Sequence, residues 1–170
     1  MTEIEVKIRI GDPEKLKEKL NTIGAESIKN RSWEENTLYD FPSQVLFRQK
    51  QALRVRTAGK KAYLTFKGSP LKSRKFKIRE EYETEVKNVK QMKKILKKLG
   101  FIPTFTYKKY RTVYRTKKLK ICLDETAIGN FIELEGEQNH IVRVANSLGF
   151  SKNDFIKQDY IQLIKNEEKG

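Results

Sequence analysis

The sequence predicts an α+β fold built from two similar halves, each with a strand, a helix and about three further strands. Two observations predict it: charged and apolar residues alternate in successive segments, and these segments follow the same order in both halves. Roughly eight strands are enough to close a barrel. The length of 170 residues suits one domain, which we place over residues 1–170.

The first half opens with a strand of strictly alternating character, Thr2–Ile10. Its charged face carries the string Glu3-Ile-Glu-Val-Lys7, and its other face is apolar. Asp12 then suits an N-cap and Pro13 the first helical position, and Gly24 ends the apolar stripe of the helix.

The second half repeats this order. Glu83-Thr-Glu-Val-Lys87 matches the opening string, and the helix after it places its apolar residues before Gly100 at the spacings seen before Gly24. Such matches in register indicate an internal duplication and a pseudo-twofold fold. The further strands are predicted around 53–57 and 64–68 in the first half, and around 119–124 and 132–136 in the second. A last helix is predicted at about 153–165, packed outside the strands.

One group of strands carries charges of opposite sign in the two halves. The group in the first half is basic, with Arg54, Arg56 and Lys67, and its counterpart in the second half is acidic, with Asp124, Glu133 and Glu135. A solvated sheet face usually mixes signs, because like charges on neighbouring strands repel. Clustered cations beside clustered carboxylates suit a polyphosphate and the metal that bridges its oxygens. If the helices cover the apolar faces, the charged faces line an internal channel; the alternation alone does not decide this.

The amino-acid composition limits the classes of ligand and metal that the protein could bind. Lys and Arg total 37 against 22 Asp and Glu, a net charge of +15, which predicts an anionic partner: nucleic acid, a membrane surface or small polyphosphates. A single cysteine, Cys122, and a single histidine, His140, exclude an intrachain disulfide and a multi-histidine metal site. Any metal would be a hard ion held by carboxylates. Without an apolar signal core or a membrane-length window, we expect a cytoplasmic protein with no membrane partner.

An ordered set of motifs resembles the CYTH superfamily of triphosphate tunnel metalloenzymes, which includes class IV adenylate cyclases, thiamine triphosphatases and inorganic triphosphatases. The resemblance covers essentially the whole chain and implies an eight-stranded antiparallel β-barrel, or tunnel, with external helices. The closing run Asp159-Tyr-Ile-Gln-Leu-Ile164 departs from the family by an aspartate in place of serine. The other motifs, in order, are Glu3-x-Glu5-x-Lys7, Leu53-Arg-Val-Arg56, Phe66-Lys67-Gly68, Arg79-x-Glu81, Lys109-x-Arg111, Asp124 and Gly129-Asn-Phe-Ile-Glu133-Leu-Glu135.

The resemblance also implies a role for each matching residue. The residues expected to bind divalent metal, Mg²⁺ or Mn²⁺, are Glu3, Glu5, Glu81, Asp124, Glu133 and Glu135. The residues expected to bind the triphosphate are Lys7, Arg54, Arg56, Lys67, Lys109 and Arg111. Within these two sets, the candidate catalytic residues are Glu5, Lys7 and Arg56.

Three functions remain open at this point. The first is hydrolysis of a triphosphate, either inorganic triphosphate or an organic one such as ATP or thiamine triphosphate. The alternative is a class IV adenylate cyclase, which converts ATP to cyclic AMP and pyrophosphate. A basic nucleic-acid-binding protein ranks third, because such a protein needs no carboxylates in register with its cations; we therefore expect no nucleic-acid partner. The oligomeric state is open, with a homodimer as one option.

Overall fold

Eight strands of the computed structural model, which describes residues 1–170, join into one closed antiparallel ring. Strands β1 to β4 are Thr2–Ile10, Glu26–Asp40, Ala52–Ala58 and Lys61–Lys67, and β5 to β8 are Lys77–Glu85, Ile102–Arg115, Leu119–Thr126 and Gly129–Gly136. Helices α1 to α5 are Pro13–Thr22, Val45–Arg48, Val89–Lys98, Gln138–Ser147 and Tyr160–Lys169. The predicted α+β barrel with external helices is confirmed.

The ring has an internal twofold symmetry of connection. Its order is β1-β5-β4-β3-β2-β6-β7-β8, and β8 pairs with β1 to close it. When β1 to β4 are exchanged with β5 to β8, every strand keeps an equivalent pair of neighbours. The internal duplication predicted from the sequence therefore appears in the barrel as a pseudo-twofold symmetry of its strand order.

The main apolar core lies outside the barrel rather than within it. Val6 and Ile8 of β1, together with Ile132 and Leu134 of β8, are fully buried in one cluster with residues of α1 and α4. A smaller cluster lies under Leu96 of α3. Because side chains alternate along a strand, burying these residues against helices turns their charged neighbours towards the barrel interior.

Two helices begin at a side-chain cap, and for α1 the cap is the residue that the sequence suggested. The side chain of Asp12 accepts a hydrogen bond from the backbone of Glu14 at the start of α1, where Pro13 follows. Asn88 caps α3 in the same way through Gln91. None of the helices is long and apolar enough to span a membrane.

The last helix begins later than predicted. Residues Lys152–Asp154 form a single 3₁₀ turn, and α5 starts only at Tyr160, where Asp159 and Gln162 form a capping box. The prediction of one helix over 153–165 was wrong because the apolar spacing of this segment continued through a short extended stretch. That stretch joins the barrel through a bridge between Ile156 and Lys7.

Gly136 closes the pairing of β8 with β7 in a conformation that a side chain does not tolerate. Its φ is +154°, and a Cβ built there would overlap Leu119 and the carbonyl oxygen of Lys118. We expect Gly136→Ala to destabilise the fold by about 2 kcal/mol and to lower Tm by roughly 4–8 °C. Thermal unfolding measures this. Gly11→Ala is the control, since nothing lies within 4 Å of a Cβ there; equal Tm losses in both variants would contradict the steric explanation.

Candidate active site

The barrel encloses a cavity whose wall is dominated by charged side chains. Its volume is about 90 Å³. Of the predicted site residues, all except Asp124 line it: Glu3, Glu5, Lys7, Arg54, Arg56, Lys67, Glu81, Lys109, Arg111, Glu133 and Glu135. The charged faces read from the sequence therefore point inward, and they converge on one tunnel.

The ring order sets acidic and basic walls opposite one another. In a ring of eight strands, each strand faces the one four places away, so β8 faces β3. Glu133 and Glu135 extend from β8, and Arg54 and Arg56 extend from β3. The opposite signs of these two strand groups thus face each other across the tunnel.

Lys67 joins the carboxylates at one side of this cavity. Its Nζ lies 2.8 Å from Glu3 and 2.7 Å from Glu81. Burial, followed by the charge of Glu5, raises the pKa of Glu3 to about 8. The pKa of Glu81 falls to about 2: burial opposes this, but the hydrogen bond with Glu3 and the charge of Lys67 outweigh it. Glu3 and Glu81 thus share one proton at neutral pH.

Asp124 is the centre of a second, fully buried group of charges. Its carboxylate accepts from Lys109 at 2.9 Å, from Arg111 through two nitrogens, and from the hydroxyl of Tyr160 at 2.6 Å. Both oxygens are therefore occupied by the protein, and the residue is 0% exposed. These contacts favour a role in orienting Lys109 and Arg111 over the metal-binding role that the resemblance implies.

Glu133 links this group to β1. It lies 3.1 Å from the Nζ of Lys7 and also accepts from Arg111. Burial opposes ionisation of Glu133, but the charges of Arg111 and Lys7 hold its pKa well below its usual value. Glu133 is thus a carboxylate at neutral pH, and it holds two of the predicted triphosphate ligands in place.

The basic wall is held by a carboxylate that the sequence-based site did not include. Glu83 accepts from Arg56 at 2.9 Å and from the hydroxyl of Thr65 at 2.6 Å, and Arg54 lies 3.6 Å away. Glu83 begins the second copy of the opening string. In that copy only Glu83 reaches the cavity, because Glu85 is exposed and Lys87 lies beyond the end of β5.

Other residues of the tunnel were missed for different reasons. Lys77 and Lys120 follow the same inward alternation, but no motif of the resemblance includes them; they lie 3.7 Å from Glu5 and 3.1 Å from Glu135. Burial lowers the pKa of Lys77 to about 8. Tyr160 lies in the closing motif, and its ring sits 4.2 Å from the Nζ of Lys7 and 4.5 Å from that of Lys109. Sequence alone offered no sign that α5 inserts this ring into the tunnel.

The glutamates of the tunnel fit a hard divalent cation by their chemistry. Glu5 and Glu135 stand directly opposite each other on β1 and β8, and Glu3 and Glu81 share a proton. Such carboxylate pairs repel when ionised, and a divalent cation relieves that repulsion. No three acidic, histidine or cysteine side chains converge as a ready metal site. Binding therefore requires these carboxylates to turn from their lysine partners.

The tunnel opens into a wider chamber of about 1160 Å³ at the end where α5 begins. Lys77, Arg79 and Asp159 line both spaces. Phe47 and Phe105 lie in the chamber wall, with the Nζ of Lys165 5.6 Å and 5.7 Å from their ring centres. The chamber therefore combines aromatic surface with positive charge next to the tunnel.

The shared proton of Glu3 predicts how stability changes with pH. The folded-state pKa of Glu3, about 8, exceeds its ordinary value of 4.5, so folding favours the protonated side chain. The contribution of Glu3 to the stability of the fold is therefore complete below pH 4.5 and is lost as pH rises through 8. Glu3→Gln imitates the protonated acid, so its Tm advantage over the unaltered protein should grow from pH 5 to pH 9, reaching on the order of 5 °C.

Thermal unfolding in the presence of a chelator measures this difference. Glu85→Gln makes the same change at an exposed carboxylate of β5, and it should leave the pH profile unaltered. A constant Tm difference between Glu3→Gln and the unaltered protein across this range would contradict the shared proton.

Comparison with known proteins agrees with this geometry. The chain is 28% identical to the protein named “Putative adenylate cyclase MJ0240” of Methanocaldococcus jannaschii, with 96% of this chain and 98% of that protein covered. The PH1012 protein of Pyrococcus horikoshii has a similar structure, with a TM-score of 0.79, 28% identity, and 95% and 98% of the two chains covered.

A more distant structure, HpAC1 from Hippeastrum, is described as having a dominant triphosphatase activity. It superposes with a TM-score of 0.72 at 20% identity, covering 97% of this chain and 96% of its own, and it supports the fold alone. The sequence model of the CYTH domain matches residues 1–156, so all eight strands and the charged side chains that they turn into the tunnel lie within that match, whereas Asp159 and Tyr160 lie beyond it. This chain belongs to the CYTH domain family.

Proposed function

We propose that this protein hydrolyses a triphosphate held inside its barrel together with a divalent cation. The observation that carries the proposal is the enclosed wall of cations facing a wall of carboxylates, with Arg54 and Arg56 on β3 opposite Glu133 and Glu135 on β8. A triphosphate offers many anionic oxygens, which suit the first wall, and its metal suits the second.

The cations of the tunnel would bind the phosphoryl oxygens. Arg54 and Arg56 present planar guanidinium groups that can hold two oxygens each, and Lys7, Lys67 and Lys109 add point charges. In the structure these groups are paired with carboxylates, so they are already oriented inward before a ligand arrives. Preorganised charge of this kind stabilises the negative charge that develops on the departing phosphate.

The carboxylates would hold the metal. Glu3, Glu5, Glu81, Glu133 and Glu135 supply hard oxygen donors for Mg²⁺ or Mn²⁺, which would add positive charge at the phosphoryl oxygens and lower the pKa of a water molecule. Asp124 is left out of this set, because it is 0% exposed and does not line the cavity, and Lys109, Arg111 and Tyr160 bind its oxygens. Its role would be to hold two of the phosphate-binding cations.

Hydrolysis and cyclisation would both start from this bound state. In hydrolysis, water attacks phosphorus, and the tunnel alone is sufficient. In cyclisation, the ribose hydroxyl of ATP attacks instead, which requires a site that holds the nucleoside. The chamber next to the tunnel and the name of the M. jannaschii relative favour cyclisation as the second candidate.

Nucleic-acid binding is the weakest of the three functions. Four lysines that add to the net positive charge lie on the exposed side of α3, where they are an ordinary solvated face: Lys93, Lys94, Lys97 and Lys98. The cations of the tunnel, in contrast, lie in an enclosed space beside carboxylates, where a duplex cannot enter.

An assay with separated products tests the reaction. With Mg²⁺ or Mn²⁺ and each of inorganic triphosphate, ATP and thiamine triphosphate, we expect release of orthophosphate. Cyclic AMP with pyrophosphate from ATP would instead identify the cyclase and overturn hydrolysis.

Arg56→Ala tests whether the tunnel carries the activity. Removing a guanidinium that stabilises developing charge should lower kcat/KM about 100-fold. Arg143→Ala, an arginine on the exposed side of α4, is the matched control and should keep full activity. Wild-type rates in Arg56→Ala would refute the tunnel as the active site.

Phe105→Ala tests whether the chamber holds the organic part of a substrate. If a base or another ring stacks on Phe105, its loss should raise KM for that organic triphosphate about 10-fold. KM for inorganic triphosphate should not change, because that substrate has no group in the chamber. Equal effects on both substrates would contradict this assignment.

A further inference from the structure

The inner face of β2 carries buried polar groups that the proposed mechanism does not use. Ser32, Glu34 and Asn36 alternate on this face, and we call them the β2 stripe. Asn36 is 0% exposed, and neither its Nδ2 nor its Oδ1 has a hydrogen-bond partner in the protein. Glu34 is 1% exposed, and its Oε2 is also without a partner, as is the hydroxyl of Ser32.

The β2 stripe lies directly behind the lining of the tunnel, on the inward face of β2. Asn36 pairs across the sheet with Arg56 on β3 and with Tyr107 on β6, and both of these line the cavity. Leu38, two residues along the same face, lines it as well. Since β2 lies four places from β1 in the ring, Asn36 faces the strand that carries Glu3 and Glu5.

A buried carboxamide without partners makes the fold less stable than an apolar side chain of the same shape would. Nothing in the packing of β2 requires an amide at this position, because no hydrogen bond of the protein reaches it. A group that lowers stability without structural contacts, next to residues that line a ligand site, points to a contact with the ligand.

The chemistry of the carboxamide suits a phosphate held by arginines. Nδ2 can donate to a phosphoryl oxygen, which only accepts at neutral pH. Oδ1 needs a donor, and the Nε atoms of Arg54 and Arg56 are themselves buried without a partner. One amide can therefore join the ligand and an arginine at the same time.

We propose that Asn36 is a further substrate-binding residue of the tunnel. Its Nδ2 donates to a phosphoryl oxygen of the triphosphate while its Oδ1 accepts from the Nε of Arg56, which fixes the plane of that guanidinium against the ligand. This inference rests on the proposed function, since it concerns the same site.

Glu34 has a different part in this arrangement. Burial opposes its ionisation, but the charges of Arg111, Lys109 and Arg56 hold its pKa below the ordinary value. Glu34 is thus an anion near these cations, and its one ion pair is with Lys29 at 3.4 Å. A second anion at position 36 would instead lie beside the phosphate and repel it.

Binding of sodium tripolyphosphate, in the presence of a chelator, tests the proposal without turnover. Thermal unfolding and titration calorimetry are measured for the unaltered protein and for Asn36→Leu. We expect the ligand-free Leu variant to keep or exceed the Tm of the unaltered protein, because an unpaired buried amide is removed. Its Kd for tripolyphosphate should rise about 10-fold or more, since a hydrogen bond to a charged ligand is lost.

Two further variants complete the experiment. Asn36→Asp should weaken tripolyphosphate binding more than Asn36→Leu does, because it replaces the hydrogen-bond donor with a negative charge. If the Leu variant does not fold, the Asp variant still tests the proposal. Thr112→Val is the matched control: Thr112 has a buried hydroxyl without a partner, but it follows Arg111 on β6 and so faces away from the tunnel. It should gain or keep stability and bind tripolyphosphate normally.

Each outcome decides the matter. Unchanged tripolyphosphate affinity in both Asn36 variants would overturn the assignment while leaving the proposed function intact. A lower Tm in Asn36→Leu with unchanged affinity would identify a structural residue. Where the unaltered protein binds tripolyphosphate only as its Mg²⁺ complex, the same comparison is made with Mg²⁺. If it binds neither the free anion nor the Mg²⁺ complex, the proposed function fails and this inference fails with it.

Discussion

The structure depends on burying a large set of opposite charges inside a closed barrel. A charge removed from water is costly unless an opposite charge and hydrogen bonds replace the water. The charged side chains of the tunnel form ion pairs that replace the water: Asp124 binds Lys109 and Arg111, and Lys67 lies between Glu3 and Glu81. The apolar core can then lie between the outer barrel surface and the helices, and the interior remains available for chemistry.

Pairing in the tunnel also restricts what can enter it. A free anion would take the cations from their carboxylates and leave those carboxylates buried without partners, and a free metal would do the reverse. A ligand that brings both signs together replaces both halves of each pair, so no buried charge is left alone. Under the proposed function, the pairing would therefore favour a metal complex of a polyanion over either ion alone.

Sequence alone predicted the parts of the site that follow strand alternation. It placed Glu3, Arg54 and Glu133 on charged faces, and the resemblance assembled those faces into a tunnel. It did not predict the contacts of Asp124, because one of them comes from Tyr160 at the start of a helix distant in the chain. The sequence also offered no reason to select Asn36, because a neutral amide does not contribute to a charge pattern. Its candidate role is recognised only from its burial and from its lack of hydrogen-bond partners.

The pairing of β1 with β8 has a consequence for how the chain is made. The first strand stays without one of its neighbours until residues 129–136 have left the ribosome, so closure of the ring waits for most of the synthesis. Contacts so far apart in sequence form slowly. During that interval β1 exposes an open edge, and the glutamates and lysine on one of its faces oppose pairing with other chains. The charges that serve the finished tunnel thus also protect the nascent protein from aggregation.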